Sequence, residues 1–151
     1  MNRYIRFSYE SPLQRFVKDA RKRVWDQEIK SLNKELDAIT NLSAISNSEV
    51  HSQDISSPTE NTVMKRIRLE NEIERRENYK KIFNTALDDL TDDEREVFEG
   101  FWMYNKYVSR FVDDYTNNHG CSPRHVYDLK RQAERQFCEN IMAQKGNYPN
   151  F

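Results

Sequence analysis

From residue 12 onward, apolar side chains return at the spacing of a helix. Leu13, Phe16, Val17, Ala20 and Val24 form one stripe. Trp25, Ile29, Leu32, Leu36 and Ile39 continue in alternating steps of four and three, the seam of a helical hairpin or a short coiled coil. The pattern predicts a first helix over 12–39. It then lapses. Residues 40–57 (TNLSAISNSEVHSQDISS) are rich in Ser and Asn and keep no steady period, which predicts a flexible linker.

Three Ser-Pro pairs, Ser11-Pro12, Ser57-Pro58 and Ser122-Pro123, each precede a periodic stretch. Serine is a good N-cap, and proline suits the first helical position, so each pair predicts a helix start. After Ser57-Pro58-Thr59-Glu60, a capping box, a long helix is expected to about Leu90, with Tyr79, Ile82, Phe83, Ala86, Leu87 and Leu90 on its better-patterned half. Thr91-Asp92-Asp93-Glu94 is a second capping box, opening a helix through Val97, Phe98, Phe101, Trp102 and Tyr104. A short helix is expected over Lys106–Thr116, with Tyr107, Val108, Phe111, Val112 and Tyr115 inward. Asn117-Asn118-His119-Gly120 reads as a turn. The last helix is expected from Pro123 to about Lys145.

Composition points the same way. Glycine (3) and proline (4) are scarce in 151 residues, charged residues make up 32%, and no strand-like apolar runs occur, so the fold class is all-α. The apolar share of 36% is low, and eight Phe, eight Tyr and two Trp must fill thin cores. Two cysteines, no secretory signal and no run long enough to span a membrane predict a cytoplasmic protein with free thiols and no membrane contact.

The net charge of −1 identifies no partner, but the charges are unevenly placed. Residues 1–23 hold seven cations (Arg3, Arg6, Arg15, Lys18, Arg21, Lys22, Arg23) against Glu10 and Asp19. Met1–Glu10 also carries Tyr4, Phe7 and Tyr9, the composition of an arm that docks on the core or on a partner. Residues 88–99 hold seven acids against Arg95 alone. Asp92, Asp93 and Glu94 fall in the first turn of a capped helix, where the helix dipole favours them, so the cluster needs no catalytic or metal role. Residues 122–135 hold Arg124, Lys130, Arg131 and Arg135 against Asp128 and Glu134. A near-neutral protein with such separated charges can dock on phosphates through one face.

No glycine-rich phosphate loop, paired His-carboxylate motif or nucleophile elbow is present, so no enzyme and no cofactor are expected. His119, Cys121, His125 and Cys138 are zinc-type ligands. His125 and Cys138 lie thirteen residues apart on one expected helix, roughly 20 Å at 1.5 Å per residue, and cannot share a metal. His119, Cys121 and His125 remain open as a three-ligand alternative, and the expectation is no metal.

On the last helix Val126, Leu129, Ala133 and Phe137 share one face. Arg124, His125, Tyr127, Asp128, Arg131 and Arg135 then point outward. Such a face suits a major groove, and it equally suits a solvated bundle surface. The order of elements favours the groove: a capped helix, a short helix, a Gly-containing turn and a Ser-capped basic helix make a helix-turn-helix layout.

LTDDEREVFEGFW followed by SPRHVYDLKRQAERQF resembles the domain with which sigma factors read the −35 promoter element. Leu90, Glu94, Arg95, Glu96 and Val97 match the first helix of that pattern, and Ser122, Val126, Tyr127, Lys130 and Ala133 match its recognition helix. His125 stands where the pattern has threonine, and the connection from Tyr115 to Ser122 reads about four residues longer than a tight helix-turn-helix turn. With the Ser-rich stretch and the long charged helix, residues 56–143 resemble the RinA/ArpU-like late transcription regulators of phages and prophages of Gram-positive bacteria.

The resemblance implies a sequence-specific regulator, an activator of late packaging, structural and lysis genes, acting on promoter double-stranded DNA with RNA polymerase. Arg124, His125, Tyr127, Asp128 and Arg131 are its candidate base readers. Lys130, Arg135, Lys106 and Arg110 are candidate phosphate contacts. The expected domains are 1–39 (arm and helix, for a homodimer or a partner), 40–57 (linker) and 58–151 (long helix and sigma-like domain). Two alternatives stand beside this: a small terminase-like packaging protein, and a helical protein-interaction module without DNA affinity.

Overall fold

The computed structural model describes residues 12–49, 56–104 and 108–144, and their regular structure is entirely helical. In chain order the helices are α1 (Pro12–Arg21), α2 (Val24–Glu49), α3 (Ser56–Asp88), α4 (Asp92–Phe98), α5 (Val108–His119) and α6 (Pro123–Ala143). A π-helical turn, Glu99–Met103, prolongs α4. The basic arm up to Ser11, together with Lys106 and Tyr107, lies outside the described residues.

The expected first helix is two helices. Lys22 N–H bonds to the Lys18 carbonyl at 3.0 Å, Arg23 N–H bonds to that of Ala20 at 3.1 Å, and Arg23 takes φ +53°. The reason lies in the two stripes. Val24 ends the first and Trp25 opens the second, and on one straight helix adjacent residues point about 100° apart. The break frees the stripes to bury separately, with Phe16 and Val17 on α1 and Trp25 on α2 all buried.

The chain forms two compact units, and they do not part at the expected linker. One joins the residues up to Arg23 with those from Tyr79 onward; the other is Val24–Asn78. Far from loosening at residue 40, α2 runs on to Glu49. No glycine or proline interrupts 40–49, and the Thr40 hydroxyl donates back to the Leu36 carbonyl at 2.9 Å, so nothing ends the helix there. α3 begins at Ser56, one residue ahead of the expected Ser57 cap. In the second unit, Arg76 of α3 pairs with Glu28 of α2 and with Glu72 on its own helix. The hydrogen bond from Arg76 holds the Glu72 carboxyl below its usual range, against the desolvation that would raise it.

The first unit is built round Phe137 of α6. Its ring lies 5.5 Å from Phe83 of α3, edge-on, and 4.5 Å from Phe98 of α4, stacked. Phe16 of α1 meets Phe83 at 6.0 Å. Two amides fasten the same end of α6: Asn140 Nδ2 donates to the Ala86 carbonyl and Gln144 Nε2 to that of Ile82, both at 2.9 Å. Nearer the start of α6, Val97, Phe101, Val112, Tyr115 and Val126 form a second core.

α4 starts as its sequence dictates. Thr91 Oγ1 accepts from Glu94 N–H at 3.3 Å, and Glu94 Oε1 accepts from Thr91 N–H at 3.1 Å. The π turn that follows closes with Tyr104 N–H to the Glu99 carbonyl at 3.0 Å. Its Gly100 lies directly against the Phe111 ring of α5, and a Cβ there would come 2.2 Å from Phe111 Cε2. The close approach of the π turn to α5 therefore requires glycine.

Gly100→Ala should destabilise the first unit by about 1–3 kcal/mol through overpacking, although alanine is the better helix former by about 1 kcal/mol. Urea unfolding of the variant checks this, and Gly100→Ala combined with Phe111→Leu should recover much of the loss.

Candidate nucleic-acid interface

The connection between α5 and α6 is short. The sequence predicts a turn from Asn117, yet α5 continues to His119, so only Gly120, Cys121 and Ser122 join the two helices. The extra turn of α5 is held from outside the local sequence. The His119 ring stacks on Tyr115 at 4.0 Å, and its Nε2 lies 3.4 Å from the Glu96 carboxylate of α4. Gly120 then takes φ +62°, the left-handed residue that ends a helix. The expected long turn is thus corrected to the three-residue, glycine-containing length that helix-turn-helix pairs use.

Ser122 starts α6 from an extended backbone, its side chain accepting from His125 N–H at 3.3 Å, with Pro123 in the first turn. Val126, Ala133 and Phe137 are fully buried, and Leu129 packs on the second core. The opposite side is open. Arg124, His125, Tyr127, Asp128, Arg131 and Arg135 are all exposed. Arg124, Asp128, Arg131 and Arg135 follow one another at steps of four, three and four, a single stripe along the helix.

These side chains differ in freedom. Arg131 Nη2 bonds to Asp128 Oδ1 at 3.2 Å, an exposed i,i+3 pair of the kind that is worth little and exchanges readily. Tyr127 is 42% exposed, and its ring lies 5.6 Å from that of Phe101 on the π turn. Lys130 is the most engaged. Its Nζ stands 5.1 Å above the Phe101 ring and 3.6 Å from Glu134, so it fixes α6 to the π turn as well as carrying charge. Arg110 is exposed on α5, where Asp113 and Asp114 are exposed as well. Lys106 lies outside the described residues.

Sequence reasoning missed the platform beneath this face. Trp102 Nε1 donates to Glu134 Oε1 at 3.1 Å, and Phe101 supports both Tyr127 and Lys130. Apolar spacing identifies Phe101 and Trp102 as inward residues. The π turn that aims them at α6 has no local sequence signal.

The zinc-type residues are placed otherwise. Cys121 packs against the second core, and His119 serves Tyr115 and Glu96. Burial, with Glu134 and Glu139 nearby, pushes the Cys138 thiol above its usual pKa. Among the described residues no group of three or more His, Cys, Asp or Glu is gathered as a metal requires. Nor is any helix among them long and apolar enough to cross a membrane. No family model, curated protein or solved structure matches the chain.

Removing Glu134 leaves a partly buried indole N–H without its acceptor and frees Lys130. Glu134→Ala should cost about 1–3 kcal/mol, while Glu134→Gln, which keeps an acceptor oxygen, should cost less. Paired urea melts with Trp fluorescence read both.

Proposed function

We propose that the first unit binds double-stranded DNA with α6 in the major groove, and that the chain is a sequence-specific transcription regulator. One arrangement carries the reading. Two helices joined by three residues present a second helix whose back is packed and whose front offers Arg124, His125, Tyr127, Asp128 and Arg131. Arginine recognises guanine through O6 and N7, and Arg124 and Arg131 are free enough to do so. Arg135, two turns or more from the start of α6, suits phosphate, as does Arg110 on α5.

The resemblance of residues 56–143 to RinA/ArpU-like regulators extends the proposal. The chain then acts in the cytoplasm of a bacterial host, as a phage- or prophage-encoded activator of late genes, alongside RNA polymerase at a promoter. The second unit is the proposed contact for polymerase or for a second copy. Val63, Met64 and Ile67 on α3 are exposed apolar residues there, and Ile29, Leu32, Leu36 and Ile39 of α2 are only half-buried.

Footprinting and salt-dependent gel shifts over the DNA flanking its own gene test the proposal. Affinity should fall steeply with salt, because phosphate contacts release counterions. Arg131→Ala should weaken the specific site by about 1–3 kcal/mol and relax one base position. Arg135→Ala should weaken all sequences alike. Failure to shift any duplex would refute the reading in favour of a protein-interaction module, and a large ring that packages DNA would favour the terminase-like alternative.

A further inference from the structure

α1 and the two residues that follow it carry a cluster of positive charge on the first unit. Arg15, Arg21, Lys22 and Arg23 are exposed, and none has an ion-pair partner among the described residues. Elsewhere cations are commonly tied down: Arg66 to Glu70, Arg75 and Arg76 to Glu72, Arg95 to Asp88 and Glu99, Arg131 to Asp128. Helix-dipole complementarity accounts for Lys18 and Arg21, which fall in the last turn of α1. It does not account for Lys22 and Arg23, which follow that turn.

Arg23 is the more telling residue. It occupies the left-handed position after a helix, at φ +53°, where glycine is the favoured residue and an L side chain is disfavoured. An arginine there brings conformational cost and adds to the repulsion within Arg21-Lys22-Arg23, and no ion pair answers it among the described residues. An external polyanion would offset that repulsion, since arginine forks match phosphate oxygens.

We propose that Arg15, Arg21, Lys22 and Arg23 form a second phosphate-binding site, indifferent to base sequence, which grips the duplex outside the base pairs that α6 reads. The proposal rests on the DNA-binding reading above. Both patches belong to one packed unit, because α1 docks through Phe16 on Phe83, and Phe83 packs on Phe137 of α6. α1 also packs against the π turn, whose Phe101 lies beneath Tyr127 and Lys130 of α6, so the α1 cations belong to the same packed body as the helix proposed to read bases.

The test compares the full chain with the variant Arg21→Ala/Lys22→Ala/Arg23→Gly. Each is titrated onto the footprinted site, once trimmed to the base pairs at which affinity depends on sequence and once flanked by random duplex. On the flanked duplex the variant should lower the slope of log affinity against log salt by about 2–3, each lost contact being worth about 0.9. The loss should be the same for specific and scrambled sequences and should shrink on the trimmed duplex. Arg23→Gly alone should melt no lower than the parent yet bind the flanked duplex more weakly, an outcome that a purely structural role for Arg23 does not produce.

An unchanged salt slope, in a chain that binds DNA and responds to Arg131→Ala, overturns this site and leaves the α6 reading standing. So does a loss confined to phosphatidylserine vesicles, which assigns the cluster to a membrane surface. A parent chain that shifts no duplex overturns both readings together.

Discussion

The first unit depends on one buried ring. Phe137 is fully buried, stacked on Phe98 and set edge-on to Phe83, so it joins α6 to α4 and α3 in a single contact. Phe16 extends that contact to α1. Buried aromatics supply large apolar area per residue, which is how a chain with only 36% hydrophobic residues closes a core. The arrangement also divides α6. Its C-terminal half is anchored by Phe137, Asn140 and Gln144, whereas its N-terminal half is anchored on one side only and open on the other.

The π turn completes that division. A widened turn at Glu99–Met103 brings Gly100 onto Phe111 and sets Phe101 and Trp102 against α6. Without the extra residue in the turn, the side chains after Phe98 would rotate by about 100° relative to α6. On the proposed reading the platform matters because a helix that reads bases needs its angle fixed by groups that do not touch the nucleic acid. Glu134 is central here, since it holds the indole of Trp102 and lies beside Lys130. A lysine that reads as a phosphate contact in the sequence thus also holds its own helix in place.

Much of this was legible in the sequence because it is local. The Thr91–Glu94 box, the Ser122-Pro123 start and the Val126, Ala133, Phe137 face depend only on residues within a few turns, and each appears as expected. What escaped depends on distant partners. α5 runs to His119 because Glu96 and Tyr115 receive that ring, and Glu96 is twenty-three residues away in sequence. Asn140 and Gln144 read as ordinary polar positions until Ala86 and Ile82 are brought beneath them. The break at Lys22–Arg23 escaped for a different reason. Two stripes offset by a single residue imitate one continuous stripe, and only burial distinguishes them. Of the candidate site, the outward stripe of α6 was legible, and the support beneath it was not.

Charge and stability are arranged on different principles in the two halves of the first unit's surface. At the start of α4 the acids are structurally employed: Glu94 caps, Asp88 and Glu99 hold Arg95, and Glu96 meets His119. Removing any of them disturbs a local contact. The exposed cations Arg124 and Arg135 of α6, and Arg15, Arg21, Lys22 and Arg23 in and just after α1, have no such employment among the described residues. Exposed unpaired charges contribute little to folding, and a left-handed arginine detracts from it. A chain with a net charge of −1 nevertheless exposes six of its 24 Lys and Arg side chains at these two places without a described ion pair. Folding energetics do not call for these charges, and the proposed binding to a polyanion would use them: the field of each cluster acts on a partner within about a Debye length, whatever the charge of the whole molecule.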